Sequence, residues 1–165
     1  MNLCNIKTTR LRIERTFQAP AEEVFDAWLD PDCKGSPWNG VTRAILQPVV
    51  DGLFYRAHPS DQGDFDLAHY GRFIVVDRPT RLQHTWVSQH TRGLESVVTL
   101  TLQAHGASTA LVLVHENLPD DEHGRVHERG WQYHLAKFDD ALANRAARIP
   151  GQRQAPAINP HRRTP

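Results

Sequence analysis

The chain has 165 residues, of which 39% are hydrophobic, so its length and apolar content suit one domain. Nineteen basic residues balance nineteen acidic ones, which excludes a general electrostatic attraction to nucleic acid or to an anionic membrane. No run of about 18 apolar residues is present to span a bilayer, and residues 1–10 lack the apolar block of a secretion signal, so the sequence predicts a cytoplasmic protein.

The N-terminal quarter predicts one strand followed by helical segments. Thr8–Gln18 alternates apolar with charged residues and predicts the opening strand. Pro20 suits the first position of a helix, and apolar residues recur at helical spacing up to about Asp30. Residues 31–40 hold two prolines and two glycines, which limit them to a short helical turn or an ordered loop. We assign this segment as a second short helix.

Short apolar runs separated by turn residues fill the region 41–117, a pattern typical of successive antiparallel strands. The period of two is clear where Leu82, His84 and Trp86 share one face. In the two runs that follow Asp51-Gly52, the pattern leaves open which face points inward. The predicted strands are Val41–Val50, Leu53–Ala57, Leu67–Asp77, Arg81–Ser88, Leu94–Gln103 and Thr109–Glu116.

A long helix is predicted near the C-terminus. Asp120 and Asp121 can cap it, and no proline follows before Pro150, so it has room for more than twenty residues. One face of this helix combines histidines with aromatic and apolar residues, namely His123, His127, Trp131, His134, Leu135, Phe138 and Leu142. Residues 147–165 contain prolines and arginines without large apolar clusters and predict a disordered tail, which leaves a domain spanning 8–146.

The order of these elements predicts an α+β fold, because strands and helices do not alternate as in a parallel α/β sheet. A curved antiparallel sheet wrapped around the long C-terminal helix accounts for the order best. Such an arrangement leaves space between the far end of the sheet and the helix. Pockets of this kind are mostly apolar and contain a few polar groups.

Short motifs in a fixed order resemble a known family. Phe17-Gln-Ala-Pro-Ala-Glu-Glu-Val-Phe-Asp-Ala-Trp28 and Trp38-Asn-Gly40 resemble the opening of START-like (SRPBCC) domains, in the branch of homologues of the heat-shock protein 90 ATPase activator. The later motifs are Asp51-Gly52-Leu-Phe54, Tyr70-Gly71, Asp77–Trp86, Ser96–Leu102, Thr109–His115 and His127–Trp131. This resemblance covers roughly residues 11–142 and implies a helix-grip fold with a ligand cavity between the sheet and the long helix.

The predicted cavity residues are aromatic, apolar and histidine side chains on the inward faces. Aromatic rings can stack on an aromatic or lipidic ligand, and histidines can hydrogen-bond to its polar groups; the alternative is that these side chains fill the core. The candidate ligand-binding residues are Trp28, Trp38, Phe54, Tyr70, His84, Trp86, Leu100, Leu111, Leu113, His115, His127, Trp131, His134 and Phe138.

No metal site, cofactor or catalytic nucleophile is predicted. His123 and His127 have a spacing that metal ligands use, but Gly124 stands where an HExxH zinc hydrolase has glutamate. Neither Cys4 nor Cys33 belongs to a CxxC pair, and no serine has a GxSxG setting.

Three functions remain open at this point. The leading hypothesis is the binding of a small hydrophobic or aromatic molecule in the cavity. The first alternative is a cyclase-like or dehydratase-like enzyme in which His84, His115 or Glu95 works with a buried water. The second alternative is a co-chaperone-like module that acts on a chaperone ATPase through its surface. A homodimer is a further possible assembly.

Overall fold

The computed structural model describes residues 6–60, 63 and 66–148. The helices are α1 (Ala21–Trp28) and α2 (Glu122–Arg148), and Gln89–Thr91 form a short 3₁₀ turn. The strands are β1 (Thr8–Phe17), β2 (Arg43–Leu46), β3 (Leu53–Pro59), β4 (Asp66–Asp77), β5 (Arg81–Ser88), β6 (Ser96–His105) and β7 (Ser108–Pro119). They form one curved antiparallel sheet with the order β1-β7-β6-β5-β4-β3-β2. The predicted α+β helix-grip architecture is therefore confirmed.

The segment after α1 differs from the prediction. Residues 31–40 form consecutive turns, so the predicted second short helix is wrong. Pro31 and Pro37 have no N–H to donate, and Gly35 adopts a left-handed φ of 86° that ends any helical run. The turns place the backbone of Gly35 directly against α2, where an added Cβ would lie 2.2 Å from the backbone nitrogen of Phe138.

The strand predictions hold in number and order but not in every length. The run predicted over 41–50 pairs only along β2, because Pro48 lacks a ladder donor and Asp51 turns the chain with a φ of 63°. In β3 and β4 the inward face is now determined: Arg56 lies opposite His69 on the face toward α2, whereas Tyr55 and Tyr70 point to the outer face.

The long C-terminal helix confirms the predicted cap and length. The side chain of Asp121 accepts a hydrogen bond from the backbone N–H of His123 at 2.9 Å, and α2 extends for 27 residues. None of the described helices is long and apolar enough to cross a membrane. Residues 149–165, most of the predicted tail, lie outside the described part of the chain.

A cluster of buried side chains lies under the C-terminal half of α2. Phe138 makes edge-to-face contacts with Phe17 and with Trp28, each with ring centroids 5.3 Å apart. Leu135 and Leu142 complete this face and are buried. Burying side chains of this size contributes about 1.5–3 kcal/mol each, so this contact holds the helix on the sheet. The N-terminal half of α2 is left to border a cleft.

Candidate functional site

A cleft of about 870 Å³ opens between the N-terminal half of α2 and the inner face of β3, β4 and β5. The turns over 35–40 and the 3₁₀ turn complete its rim. The lining side chains that matter chemically are Arg56, His58, His69, Trp86, His90, His127, Arg129, Trp131, Tyr133, His134 and Lys137. The cleft therefore combines aromatic walls with many nitrogen donors and acceptors.

Two tryptophans form the aromatic wall. Trp86 on β5 and Trp131 on α2 lie with ring centroids 5.2 Å apart, and both are almost fully buried. Trp131 also stacks on Trp28 at 6.2 Å, which fixes it against the core behind the cleft. The indole Nε1 of Trp86 is buried and has no hydrogen-bond partner. The two rings are tilted by 52° to each other and form a largely buried apolar wall that contains one unpartnered donor.

Arg56 places a buried positive charge in this cleft. Its residue is only 5% exposed, its Nε has no hydrogen-bond partner, and its guanidinium carbon lies 5.9 Å from the ring centroid of Trp86. Burial lowers the pKa of Arg56 to about 10, so the side chain remains charged at neutral pH. No ion pair joins it to a carboxylate of the residues that the structure describes.

Five histidines surround the cleft, namely His58, His69, His90, His127 and His134. His69 stacks on His58 with ring centroids 5.6 Å apart and also contacts Trp86 at 4.7 Å. Burial, reinforced by the charge of Arg56, lowers the pKa of His69 to about 2. Burial is also the main reason that the pKa of His127 and that of His134 each fall to about 4. The rings of His69, His127 and His134 are therefore neutral at physiological pH.

The hydrogen bonds of His127 define its tautomer. Its Nδ1 lies 3.2 Å from the backbone carbonyl of His123, and a carbonyl can only accept, so Nδ1 carries the proton. The other ring nitrogen, Nε2, is then an acceptor, and it is buried without a partner. A hydroxyl or N–H group of a ligand would satisfy it.

The formal charges around the cleft have one sign. Arg129 and Lys137 on α2 join Arg56, and the lining includes no aspartate or glutamate among the residues that the structure describes. Lys137 lies over the Tyr133 ring at 4.5 Å from its centroid. Because the whole chain has a formal net charge of zero, this local excess is a property of the cleft and not of the composition.

The described residues contain no group of three or more His, Cys, Asp or Glu side chains that could hold a metal ion. His123 is exposed, while His127 turns toward the cleft, so the pair with metal-ligand spacing does not converge on one point with a third ligand. Each histidine ring of the cleft has two nitrogens that can take part in hydrogen bonds.

Sequence comparison identifies the family. The family model for "Activator of Hsp90 ATPase homolog 1-like protein" matches residues 18–143. The chain belongs to this family. A comparison with curated protein sequences gives no match.

Solved structures of other proteins share the fold. A Chromobacterium violaceum protein is 24% identical with a TM-score of 0.69, and the match covers 81% of this chain and 96% of that one. An AHSA1-like protein from Aeromonas hydrophila is 20% identical with a TM-score of 0.67, covering 88% and 100%. An HSP90 activator from Plasmodium falciparum is 20% identical with a TM-score of 0.64, covering 81% and 96%. At these identities, the likeness shows the fold alone.

Four of the predicted residues line the cleft of this AHSA1-like protein: Trp86, His127, Trp131 and His134. Nine others do not reach it and are buried in the core: Trp28, Trp38, Phe54, His84, Leu100, Leu111, Leu113, His115 and Phe138. They fill the space where the sheet approaches α2 and the turns most closely. At these nine positions the side chains fill the core, which was the alternative to ligand binding.

Tyr70 lies on the other side of the sheet, and its prediction as a cavity residue is corrected. The ring is 50% exposed and borders a shallow depression of about 500 Å³ on the outer face, together with Ile45 and Leu53. The reason is strand parity: Gly71, the next residue, pairs with the buried Phe54, so Tyr70 must point away from α2.

His84 and His115 are structural. His84 is enclosed by Phe54 and Phe73, its Nδ1 bonds the carbonyl of Thr85 at 2.9 Å, and burial lowers its pKa to about 4. His115 is 0% exposed, and both of its ring nitrogens have partners within the protein. Neither ring lines the cleft. Their role as an acid or base stays a prediction.

Sequence reasoning missed the residues of β3, β4 and the 3₁₀ turn that define the cleft: Arg56, His58, His69 and His90. Their only local signal is that Arg56 and His58 share the parity of Phe54, and a strand placing arginine beside a buried aromatic is unusual. This pattern predicts Arg56 and His58 as cleft residues only once the inward face of β3 is known.

Proposed function

We propose that this AHSA1-like protein binds a small molecule with an aromatic or apolar body in the cleft between α2 and the sheet. The observation that carries the proposal is an 870 Å³ space beside the paired rings of Trp86 and Trp131. This volume lies within the range of about 300–1,000 Å³ of small-molecule sites. The tryptophan wall would contact the apolar body, and the more exposed lining residues, such as Tyr133 and Lys137, would supply most of the buried area of such a complex.

Gly130 gives a way to close the cleft without disturbing the fold. It lies on α2 at the cleft wall, and a Cβ added there would meet nothing within 4 Å. A leucine at this position would therefore extend into the open space, and it is also a better helix former than glycine. Gln132, which is exposed on the same helix and does not line the cleft, is the matched control position.

The test uses N-phenyl-1-naphthylamine, a neutral aromatic probe whose fluorescence rises in apolar sites. We expect saturable binding to the wild-type protein, at least about tenfold weaker binding to Gly130→Leu, and unchanged binding to Gln132→Leu. Absence of saturable binding to the wild type, or equal binding to all three proteins, would contradict ligand binding in this cleft.

A second candidate function is contact with a chaperone through the outer face of the sheet. Ile45, Leu53 and Tyr70 are each at least half exposed on that face, and clustered apolar exposure favours a protein partner. The Plasmodium falciparum neighbour is described as an HSP90 activator. The test is the ATPase rate of purified HSP90: the wild type should raise it, Ile45→Ser/Leu53→Ser should not, and the control Tyr133→Ser should behave as the wild type.

Size-exclusion chromatography of the same proteins separates a chaperone contact from a homodimer. A homodimer through the outer face would appear as a doubled mass that Ile45→Ser/Leu53→Ser abolishes, without any effect of the wild type on the chaperone. A monomer that leaves the ATPase rate unchanged would remove both surface roles and leave only the cleft.

A further inference from the structure

We infer that the ligand of the cleft carries an anionic oxygen group, a carboxylate or a related oxyanion, and that Arg56 binds this group. The inference rests on the proposed function and adds the chemical class of the ligand. The cleft is therefore a receptor for an amphipathic acid, with the aromatic or apolar body against Trp86 and Trp131 and the acidic group at the β3 end.

The first observation is the solitary buried charge. Arg56 lines the cleft but is only 5% exposed, and its Nε has no hydrogen-bond partner. A buried guanidinium is normally paired, because removing its charge from water is costly unless hydrogen bonds and an opposite charge compensate. None of the described residues supplies a carboxylate that would compensate the charge of Arg56. An oxyanion in the cleft supplies both the charge and the acceptors.

The second observation is that further unpaired polar atoms surround Arg56. The Nε1 of Trp86 is a donor without an acceptor, and the Nδ1 of His69 also has no partner. The Trp86 ring lies 5.9 Å from the guanidinium carbon and 4.7 Å from the His69 ring, so these groups converge on one region. A carboxylate has two oxygens and about four acceptor positions, enough to accept from both the guanidinium and the indole.

The third observation is the sign of the surrounding charge. Arg129 and Lys137 border the same cleft, and none of its described lining residues is acidic. Their positive charge favours an entering anion and disfavours a cation of the same shape. A purely apolar ligand would leave Arg56 buried without a partner, which is the costlier bound state.

On the α2 side of the cleft, His127 provides a second requirement for the ligand. Its buried Nε2 accepts hydrogen bonds and has no donor in the protein. A hydroxyl or amide N–H on the aromatic body would satisfy it, whereas a second anionic group there would meet a lone pair. We therefore expect a ligand with one acidic group that binds Arg56 and a neutral hydrogen-bond donor that binds His127.

The test uses a pair of probes that differ by one anionic group. 1-Anilinonaphthalene-8-sulfonate is N-phenyl-1-naphthylamine with a sulfonate added, so the ratio of their dissociation constants measures the preference for an anion. We expect the wild type to bind the sulfonate at least about tenfold more tightly than the neutral probe. Gly130→Leu should weaken both probes, which assigns the signal to the cleft.

Arg56→Met removes the charge and keeps a side chain of similar length. It should remove the preference, lowering sulfonate affinity at least about tenfold and leaving the neutral probe within about twofold. Arg56→Lys should retain part of the preference, because it keeps the charge without the planar donor array. Arg72→Met removes an exposed arginine of β4 that pairs with Asp51 outside the cleft, and it should leave both affinities unchanged.

The outcomes separate this inference from the proposed function. Equal binding of the two probes to the wild type, or a preference that survives in Arg56→Met, would overturn the anion assignment while cleft binding stands. Absence of binding by either probe would overturn both. If Arg56→Met does not fold, the wild-type ratio and the Arg56→Lys variant still decide the question.

Discussion

The indole Nε1 of Trp131 donates a hydrogen bond to Nδ1 of His115 at 3.0 Å and thereby links α2 to β7. Since Nδ1 must accept, the proton of the neutral ring is on Nε2, which lies 2.7 Å from the hydroxyl of Ser96. That hydroxyl in turn donates to the carbonyl of Trp86 at 2.6 Å. The two tryptophans of the cleft wall are thus joined behind the cleft by one satisfied buried relay.

We expect Trp131→Phe to break this relay. The substitution removes the one donor that the described residues supply to Nδ1 of His115 and leaves a buried acceptor unsatisfied, which costs about 1–3 kcal/mol of unfolding free energy in addition to the lost indole packing. Urea denaturation measures the change, and Tyr133→Phe on the exposed side of α2 is the control. A His115 ring that nitrogen NMR shows protonated on Nδ1 in the wild type would refute the relay.

Acid should destabilise the fold below about pH 6.5. Burial lowers the pKa of His84 in the folded protein to about 4 from its ordinary value of 6.5, so the unfolded chain binds the proton first as the pH falls. The contribution of the neutral His84 ring to the free energy of unfolding is fully present above pH 6.5 and is lost progressively as the pH falls to about 4. Within this range, each buried histidine of this kind lowers the free energy of unfolding by up to about 1.4 kcal/mol per pH unit.

His84→Leu isolates one of these contributions. The variant should show a smaller decrease of unfolding free energy between pH 6.5 and 4, because one proton fewer is taken up on unfolding. His105→Gln, at an exposed position, should keep the wild-type slope. Identical slopes for all three proteins in denaturation series across this range would show that His84 is not the neutral buried group described.

Arg56→Met is expected to stabilise the protein in the absence of ligand, even though it impairs anion binding. The substitution replaces a buried cation without a described partner by an apolar side chain, a change that commonly raises the free energy of unfolding by about 1–3 kcal/mol. Thermal and chemical denaturation measure the gain. Arg72→Met, which breaks an exposed ion pair, should change stability by less than about 1 kcal/mol. A destabilised Arg56→Met would point to a structural role for Arg56.

Two glycines of the cleft should respond oppositely to alanine. Gly130→Ala adds a methyl group in open space within a helix and should stabilise by up to about 1 kcal/mol. Gly35→Ala places a Cβ 2.2 Å from the nitrogen of Phe138 at a left-handed φ of 86°, and should cost at least about 1–3 kcal/mol. Urea denaturation of both variants checks the pair, and equal effects would contradict the close contact of this turn with α2.

Local periodicity determined the elements of this fold. The alternation around Leu82, His84 and Trp86 predicted an inward-facing strand, and these three side chains are indeed buried. The helical stripe that includes Trp131, Leu135 and Phe138 likewise predicted the face by which α2 packs. Both patterns can be read without tertiary information because they depend only on the direction in which successive side chains leave the backbone. The ordered motifs then predicted the family that the match over residues 18–143 confirms.

Tertiary structure alone decided which inward-facing residues border open space. His84 and Trp86 share one face of one strand, yet His84 is enclosed by core rings while Trp86 lines the cleft. Arg56 joins the site only because β3 turns that face toward α2 opposite His69. The physical reason is that side-chain direction is local, whereas the gap between helix and sheet depends on how the sheet curves and where the turns meet α2, which no single segment specifies.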